Sequence, residues 1–249
     1  SWSVTDKQST TDSRLIPRFK DYWKERIAWV IMSEWPKGRW IREYLIDPIL
    51  YFGEHPVHTR NYEASYDVAE LEPEDRDGST YVLQEYFVPV ENFDMWFPKM
   101  KKVFNDNNVN VINVSIRHAL PDPGSKLAWA RKEVFAFVVY YKQGTSEKDK
   151  DHVAVWTRQM IDEVIKVSGA YYLPYQLHAT DEQLRKAYPN IDEYFEIKKK
   201  IDPSNKFTNA LWDKYYHDDE KKASSTPIST KDVSYRRPFA NTYTSLPEW

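Results

Sequence analysis

The chain has 249 residues, a formal charge of -3 and no cysteine. Near-neutral charge argues against a dedicated nucleic-acid binder, and the lack of cysteine excludes disulfide scaffolds, thiol catalysis and thiolate metal sites. Only 6 glycines are present, where average usage would give about 17; no G-x-G-x-x-G or Walker loop occurs, so the chain carries no phosphate-cradling loop for a dinucleotide.

Residues 1–13 are polar and rich in Ser and Thr. Over 14–52, Trp23, Ile27, Val30, Ile31 and Trp35 recur near helical spacing among Arg18, Lys20, Lys24 and Arg26. That pattern predicts one or two amphipathic helices, broken at Pro36-Lys37-Gly38. Such a segment either packs on its own protein or lies in a membrane surface as a peripheral contact. No apolar run approaches the roughly 20 residues of a membrane span. His55 and His58 flank Pro56 beside Glu54, too few ligands for a metal site.

From Thr80 the pattern sharpens. Thr80–Val88 reads as a strand, then Glu91–Phe104 as a helix with Phe93, Trp96, Phe97, Met100, Val103 and Phe104 on one face and Pro98 inside it. Asn105–Asn108 is a turn signal. Val109–Ala119 reads as a strand with Val109, Val111, Asn113, Ser115, Arg117 and Ala119 on one side. After the loop signal Pro121–Gly124, Leu127–Tyr141 is the next strand. Ser146 and Asp149 form a cap for a helix reaching Ser168, with Gly169 as its stop. Ala170–Tyr175 is a last short strand. The order β-α-β-β-α-β predicts an α+β fold, a split-βαβ (ferredoxin-like) antiparallel sheet with helices on one face. Thr180–Gln183 signs a further helix, and Asp202-Pro203 ends another. The expected divisions are an N-terminal helical segment 1–60, a domain over 61–217 and a polar tail over 218–249.

Three stretches then suggest a family: Asn61–Pro89, Asn113–Arg131 (NVSIRHALPDPGSKLAWAR), and Tyr171–Thr180 (YYLPYQLHAT) continuing through Ala187-Tyr-Pro189 and Asp202-Pro203 to Phe207-Thr-Asn209. They resemble the C-terminal region of vanillyl-alcohol-oxidase-type flavoproteins, nearest to the aldonolactone oxidases and related sugar oxidases. The resemblance implies a cap domain that covers the FAD ring and shapes the pocket for an alcohol, sugar or lactone substrate. It also implies oxidation by hydride transfer to flavin. With so little glycine, FAD is expected to be held by an N-terminal domain or separate chain, leaving this chain alone catalytically silent. The compartment stays open, with the cytoplasm or a membrane surface favoured over secretion.

The same resemblance selects site residues. Related enzymes place an acid and an arginine two apart on a comparable strand facing the flavin; here Arg117 has Ser115 where the acid is expected. Arg117 would stabilise an oxyanion or reduced-flavin charge. Tyr175 stands where sugar oxidases of this group tend to carry lysine; it could donate to flavin or substrate, and act as acid or base only with a lowered pKa. Tyr172 and His178 share its segment, His178 being the better proton acceptor near neutrality. His118 alternates away from Arg117, and Asn209 would meet flavin or substrate or form a turn.

The same element order also fits an RNA-recognition module or another non-catalytic binding domain. Phe135–Tyr140 matches the aromatic part of the RNA motif, but Glu133 and Val134 stand at its basic and glycine positions, so no nucleic-acid partner is expected.

Overall fold

The computed structural model describes residues 5–16, 23–35, 37–52, 56–65 and 77–216. The expectations for the 218–249 tail, and for Glu54 and His55, fall outside these residues. The described chain divides between Phe207 and Thr208 into two compact units.

In the first unit, the N-terminal segment forms α1 (Trp23–Glu34), α2 (Gly38–Ile41), a π-helical stretch Arg42–Ile46, α3 (Asp47–Tyr51) and α4 (Arg60–Ala64). In line with the expected break, α1 ends at Glu34 and α2 begins at Gly38. Gly38 lies so close to the Ile31 carbonyl that a Cβ there would sit 1.9 Å from its oxygen. Ile27, Val30, Trp35, Trp40, Tyr44, Ile49 and Phe52 remain exposed. No described helix is long and apolar enough to cross a membrane.

The remainder is built on four strands: β1 (Ser79–Pro89), β2 (Asn110–Ala119), β3 (Val134–Gly144) and β4 (Ala170–Tyr171). They form one antiparallel sheet in the order β2-β3-β1-β4. Between β1 and β2 runs α5 (Phe93–Asp106), and between β3 and β4 runs α6 (Glu147–Lys166). This is the split-βαβ arrangement of an α+β fold.

Alternation along the strands sends one set of side chains into the helices. Tyr86 and Phe137 meet Trp96 of α5, with ring centroids 6.1 and 4.6 Å apart, and Tyr141 meets Trp156 of α6 at 5.0 Å. Each fully buried large side chain contributes on the order of 1.5–3 kcal/mol. A closed polar chain runs through this layer. Gln84 Nε2 donates to Tyr141 Oη (3.0 Å) and Thr157 Oγ1 (2.8 Å), Tyr86 donates to Gln84 Oε1, and Tyr141 donates to Gln143 Oε1 (3.2 Å). Every member is satisfied, so burial of these groups is tolerated.

Four details depart from the sequence reading. β3 starts at Val134 rather than Leu127, because the preceding loop folds on itself. Asp122 N donates to Ala130 O (2.8 Å), and Asp122 Oδ1 accepts from Gly124 N and Ser125 N (2.9 and 3.1 Å). β4 stops at Tyr171 rather than Tyr175, although Tyr172 N still donates to Glu85 O (2.9 Å); Pro174 has no N–H to extend the ladder. β2 is not one uninterrupted alternation. Val111 pairs with Tyr141 and Asn113 with Tyr140, leaving Ile112 as an extra residue. The bulge puts Val111 on the helix side while Asn113, Ser115 and Arg117 take the other. Finally, the left-handed residue ending α6 is Ser168 (φ 61°), not Gly169. Glycine is needed at 169 because a Cβ would sit 2.3 Å from the Phe87 carbonyl oxygen and 2.6 Å from Val164 Cγ2.

Beyond the sheet, α7 (Asp181–Ala187) starts with a complete capping box: Thr180 Oγ1 accepts from Gln183 N (3.1 Å), and Gln183 Oε1 accepts from Thr180 N (3.0 Å). α8 (Ile191–Ile201) ends on Asp202. Its carboxylate accepts from Lys198 Nζ (2.6 Å), Lys206 N (3.0 Å) and Phe207 N (2.9 Å), which holds it down to about 2. The second unit contains α9 (Ala210–Tyr215), capped by Asn209, whose side chain accepts from Trp212 N at 2.9 Å.

Two stability measurements follow from these contacts. Gly169→Ala should cost about 1–3 kcal/mol by overpacking against a backbone carbonyl, read as a lower urea midpoint; a wild-type midpoint would refute the close approach. Asp202 has a depressed carboxyl, so its stabilising contribution is present above pH 3.8 and is lost as pH falls toward 2. Asp202→Asn should therefore lower the melting temperature at pH 6 and flatten its fall between pH 4 and 2. An acid profile parallel to wild type would remove Asp202 from that role.

Candidate functional site

The face of the sheet turned away from α5 and α6 carries the chemistry. Register defines its rows. Tyr81, Lys142 and Asn110 form one, with Leu83, Tyr140 and Asn113 next. Then come Glu85, Val138 and Ser115, followed by Phe87, Ala136 and Arg117. Tyr172, just past β4, extends the third row beside Glu85 through its N–H to the Glu85 carbonyl.

Both ends of this face are bounded. At one end α1 meets the first row: Tyr81 Oη donates to Ser33 Oγ (3.2 Å), Asn110 Nδ2 donates to Ser33 O (3.0 Å), and Lys142 pairs with Glu34. At the other end aromatic rings gather. Trp129 stacks on Phe87 with centroids 4.2 Å apart and planes 21° from parallel. Tyr172 lies edge-on to Phe87 (6.1 Å) and to Tyr175 (5.1 Å). The floor between them is Ala136 and Val138, both buried.

The structure thus brings together Arg117, Ser115, Tyr172 and Tyr175, and adds Glu85, which the sequence reading missed. Glu85 occupies the same cross-strand row as Ser115, two strands away. Adjacent strands are about 4.8 Å apart, so their Cα atoms are separated by roughly 10 Å. Its signal is present in the sequence: Glu85 is the one charged residue of β1, at a position alternating with the helix-facing Gln84 and Tyr86. Burial pushes the Glu85 carboxyl up from its ordinary value, with the Arg117 guanidinium opposing that rise. Burial also raises the Tyr175 phenol, helped by the Glu85 carboxylate and opposed by Arg117. Tyr175 therefore stays protonated at neutral pH and serves as a hydrogen-bond donor, not a base.

His118, His178 and Asn209 have other surroundings. His118 lies on the helix side of β2, its Nε2 2.6 Å from Glu133 Oε1 and its ring 6.1 Å from Phe135. His178 Nε2 is 2.6 Å from Gln176 Oε1, and its carbonyl accepts from Arg158 of α6 (3.4 Å). Asn209 is the cap of α9. His58 is 4.6 Å from the Tyr62 ring, and no group of three potential metal ligands occurs among the described residues.

The face suits part of a flavin and not the whole. Aromatic rings and an arginine match the flat ring and its electron-rich edge. A pyrophosphate needs convergent backbone N–H groups, usually at glycine; no described glycine has positive φ. Phe135 and Phe137, the aromatic positions that resemble the RNA motif, pack against Phe93 and Trp96 of α5.

A search of curated proteins found no match. A sequence model of the D-arabinono-1,4-lactone oxidase family matches residues 51–215, a span containing every strand of the sheet and the whole of the far face. The chain belongs to the D-arabinono-1,4-lactone oxidase family, a family of flavin-linked oxidoreductases acting on aldonolactones.

Proposed function

We propose that this chain is the substrate-facing cap of a flavin-linked oxidase or dehydrogenase acting on an aldonolactone or a related sugar alcohol, with FAD held by a separate domain or chain. The observation that carries this reading is Arg117. It stands exposed on the far face of the sheet, in the row of Ala136 and Phe87, and makes no hydrogen bond or salt bridge to a described residue. A guanidinium held on this face with its N–H groups open is suited to an anionic or carbonyl oxygen of a ligand.

The flavin, when bound, supplies the acceptor for two electrons and the hydrogen leaving the substrate carbon. The chain supplies position and electrostatics. Arg117 donates to the lactone carbonyl or meets negative charge formed beside it. Tyr175, kept protonated, donates a hydrogen bond to a ring edge or a substrate oxygen. Trp129, Tyr172 and Phe87 wall one end and limit water. Among the described residues no glycine has positive φ, which supports placing the rest of the cofactor elsewhere.

In the flavin-loaded enzyme, Arg117→Ala should lower kcat/KM for an aldonolactone about 10²–10³-fold, as removal of an oxyanion-stabilising donor does. Arg117→Lys should recover part of that loss, since the charge remains and the planar fork is gone. Steady-state kinetics decide it: unchanged kcat/KM in Arg117→Ala takes this face out of the active site.

A further inference from the structure

We infer that Glu85 is the carboxylate that binds and deprotonates the substrate hydroxyl, working across the sheet from Arg117; this rests on the aldonolactone reading above. Three observations converge. First, the register places Glu85 in line with Ser115 and Tyr172, one row from Arg117, on the face that carries the other site residues. Second, Glu85 and Arg117 feel one another's charge yet form no salt bridge within 4.0 Å. The carboxylate and the guanidinium thus share one face without closing on each other, an arrangement that a small polyhydroxy ring would bridge. Third, the Glu85 carboxyl is half-buried and makes no hydrogen bond to a described residue. A partly desolvated carboxylate without donors is an expensive feature in a structural role, and it is the state in which a substrate O–H is most strongly held.

Ser115 cannot do this work, because a hydroxyl is too weak a base. Tyr175 cannot either, since its phenol stays protonated. Glu85 accepts the O–H proton of the carbinol. The electron pair of that bond becomes the second carbon–oxygen bond, and the C–H hydrogen would leave with its two electrons to the acceptor that a bound flavin would supply. The products are a carbonyl compound, a protonated Glu85 and a reduced acceptor, so charge and electrons balance. Arg117, on the same face, holds the lactone carbonyl and fixes which hydroxyl faces Glu85.

The test begins without flavin. In a ¹³C-carboxyl NMR titration of the full chain, the Glu85 resonance, assigned by its loss in Glu85→Gln, should titrate above the ordinary glutamate range and higher still in Arg117→Ala. Adding D-arabinono-1,4-lactone should move that resonance, and Glu85→Gln should weaken lactone binding about 10-fold. In the flavin-loaded enzyme, Glu85→Gln should lower kcat by about 10²–10⁴-fold, the range for loss of a general base. It should also abolish the acid limb of the pH profile, while Glu85→Asp keeps that limb. Melting of Glu85→Gln at or above the wild-type temperature checks the fold. A carboxyl resonance indifferent to the lactone, or a Glu85→Gln enzyme with wild-type kcat and pH profile, overturns the assignment. Lactone binding that shifts Glu85 in an enzyme that never oxidises it would instead overturn the redox reading and leave Glu85 as a binding residue.

Discussion

A β-strand alternates its side chains strictly, so one unpaired residue reverses the facing of everything beyond it. Ile112 is that residue in β2. Ahead of it Val111 falls on the helix side opposite Tyr141; behind it Asn113, Ser115 and Arg117 fall on the far side. Without the bulge, a strand that packed Val111 against the helices would turn Arg117 into the same apolar layer, and its charge would meet Phe135 and Phe137. The bulge reconciles an apolar start of the strand with a polar, outward end. The grouping of Arg117 with Glu85, Tyr172 and Tyr175 depends on it.

Much of this architecture is legible in the sequence because it is local. Caps at Ser146 and Thr180, the apolar faces of α5 and α6, and the order of strands and helices all follow from side-chain period and short-range hydrogen bonding. What was not legible is tertiary. A bulge leaves no mark in the composition of β2, since Val111, Ile112 and Val114 are ordinary strand formers whichever residue is the extra one. Gly169 looks like a helix stop, but the left-handed turn is made one residue earlier; the glycine answers to Phe87, eighty residues away in sequence. Trp129 reads as part of a strand and is instead a loop residue that stacks on that same phenylalanine. Glu85 was overlooked for a related reason. Its partner Arg117 is brought near by cross-strand register, which no window along the chain can display.

The stretches that resemble the family also divide by what they do. Arg131 donates to the carbonyls of Ala187 and Ser168, and Tyr188 donates to the carbonyl of Tyr171, tying α7 and the loop before β3 to the end of the sheet. Asp202 gathers the turn after α8, and Asn209 caps α9. These residues fix backbone, so their presence speaks for the fold. Arg117, Tyr172 and Tyr175 are different: they face an apolar floor, and their orientation contributes little to the helix-side core. Family likeness and site chemistry therefore rest on largely separate residues, which is why Ser115 and Tyr175 can depart from the expected acid and lysine while the architecture stays intact.

Those departures change the charge of the site in a consistent direction. With a lysine at 175 and an acid at 115, the end of the face away from α1 would carry two cations and, counting Glu85, two carboxylates. Here it carries one of each, with neutral phenols around them. In the ground state Glu85 and Arg117 compensate one another across the face, so little net field is projected outward. When Glu85 takes up a proton its charge vanishes, and the Arg117 guanidinium is left without that compensation. Proton uptake at one residue thus creates positive potential at the other, at the moment when negative charge arises beside the face. A tyrosine serves this arrangement better than a lysine would. A second permanent cation would hold Glu85 ionised and resist the proton transfer, whereas a phenol donates a hydrogen bond without opposing it.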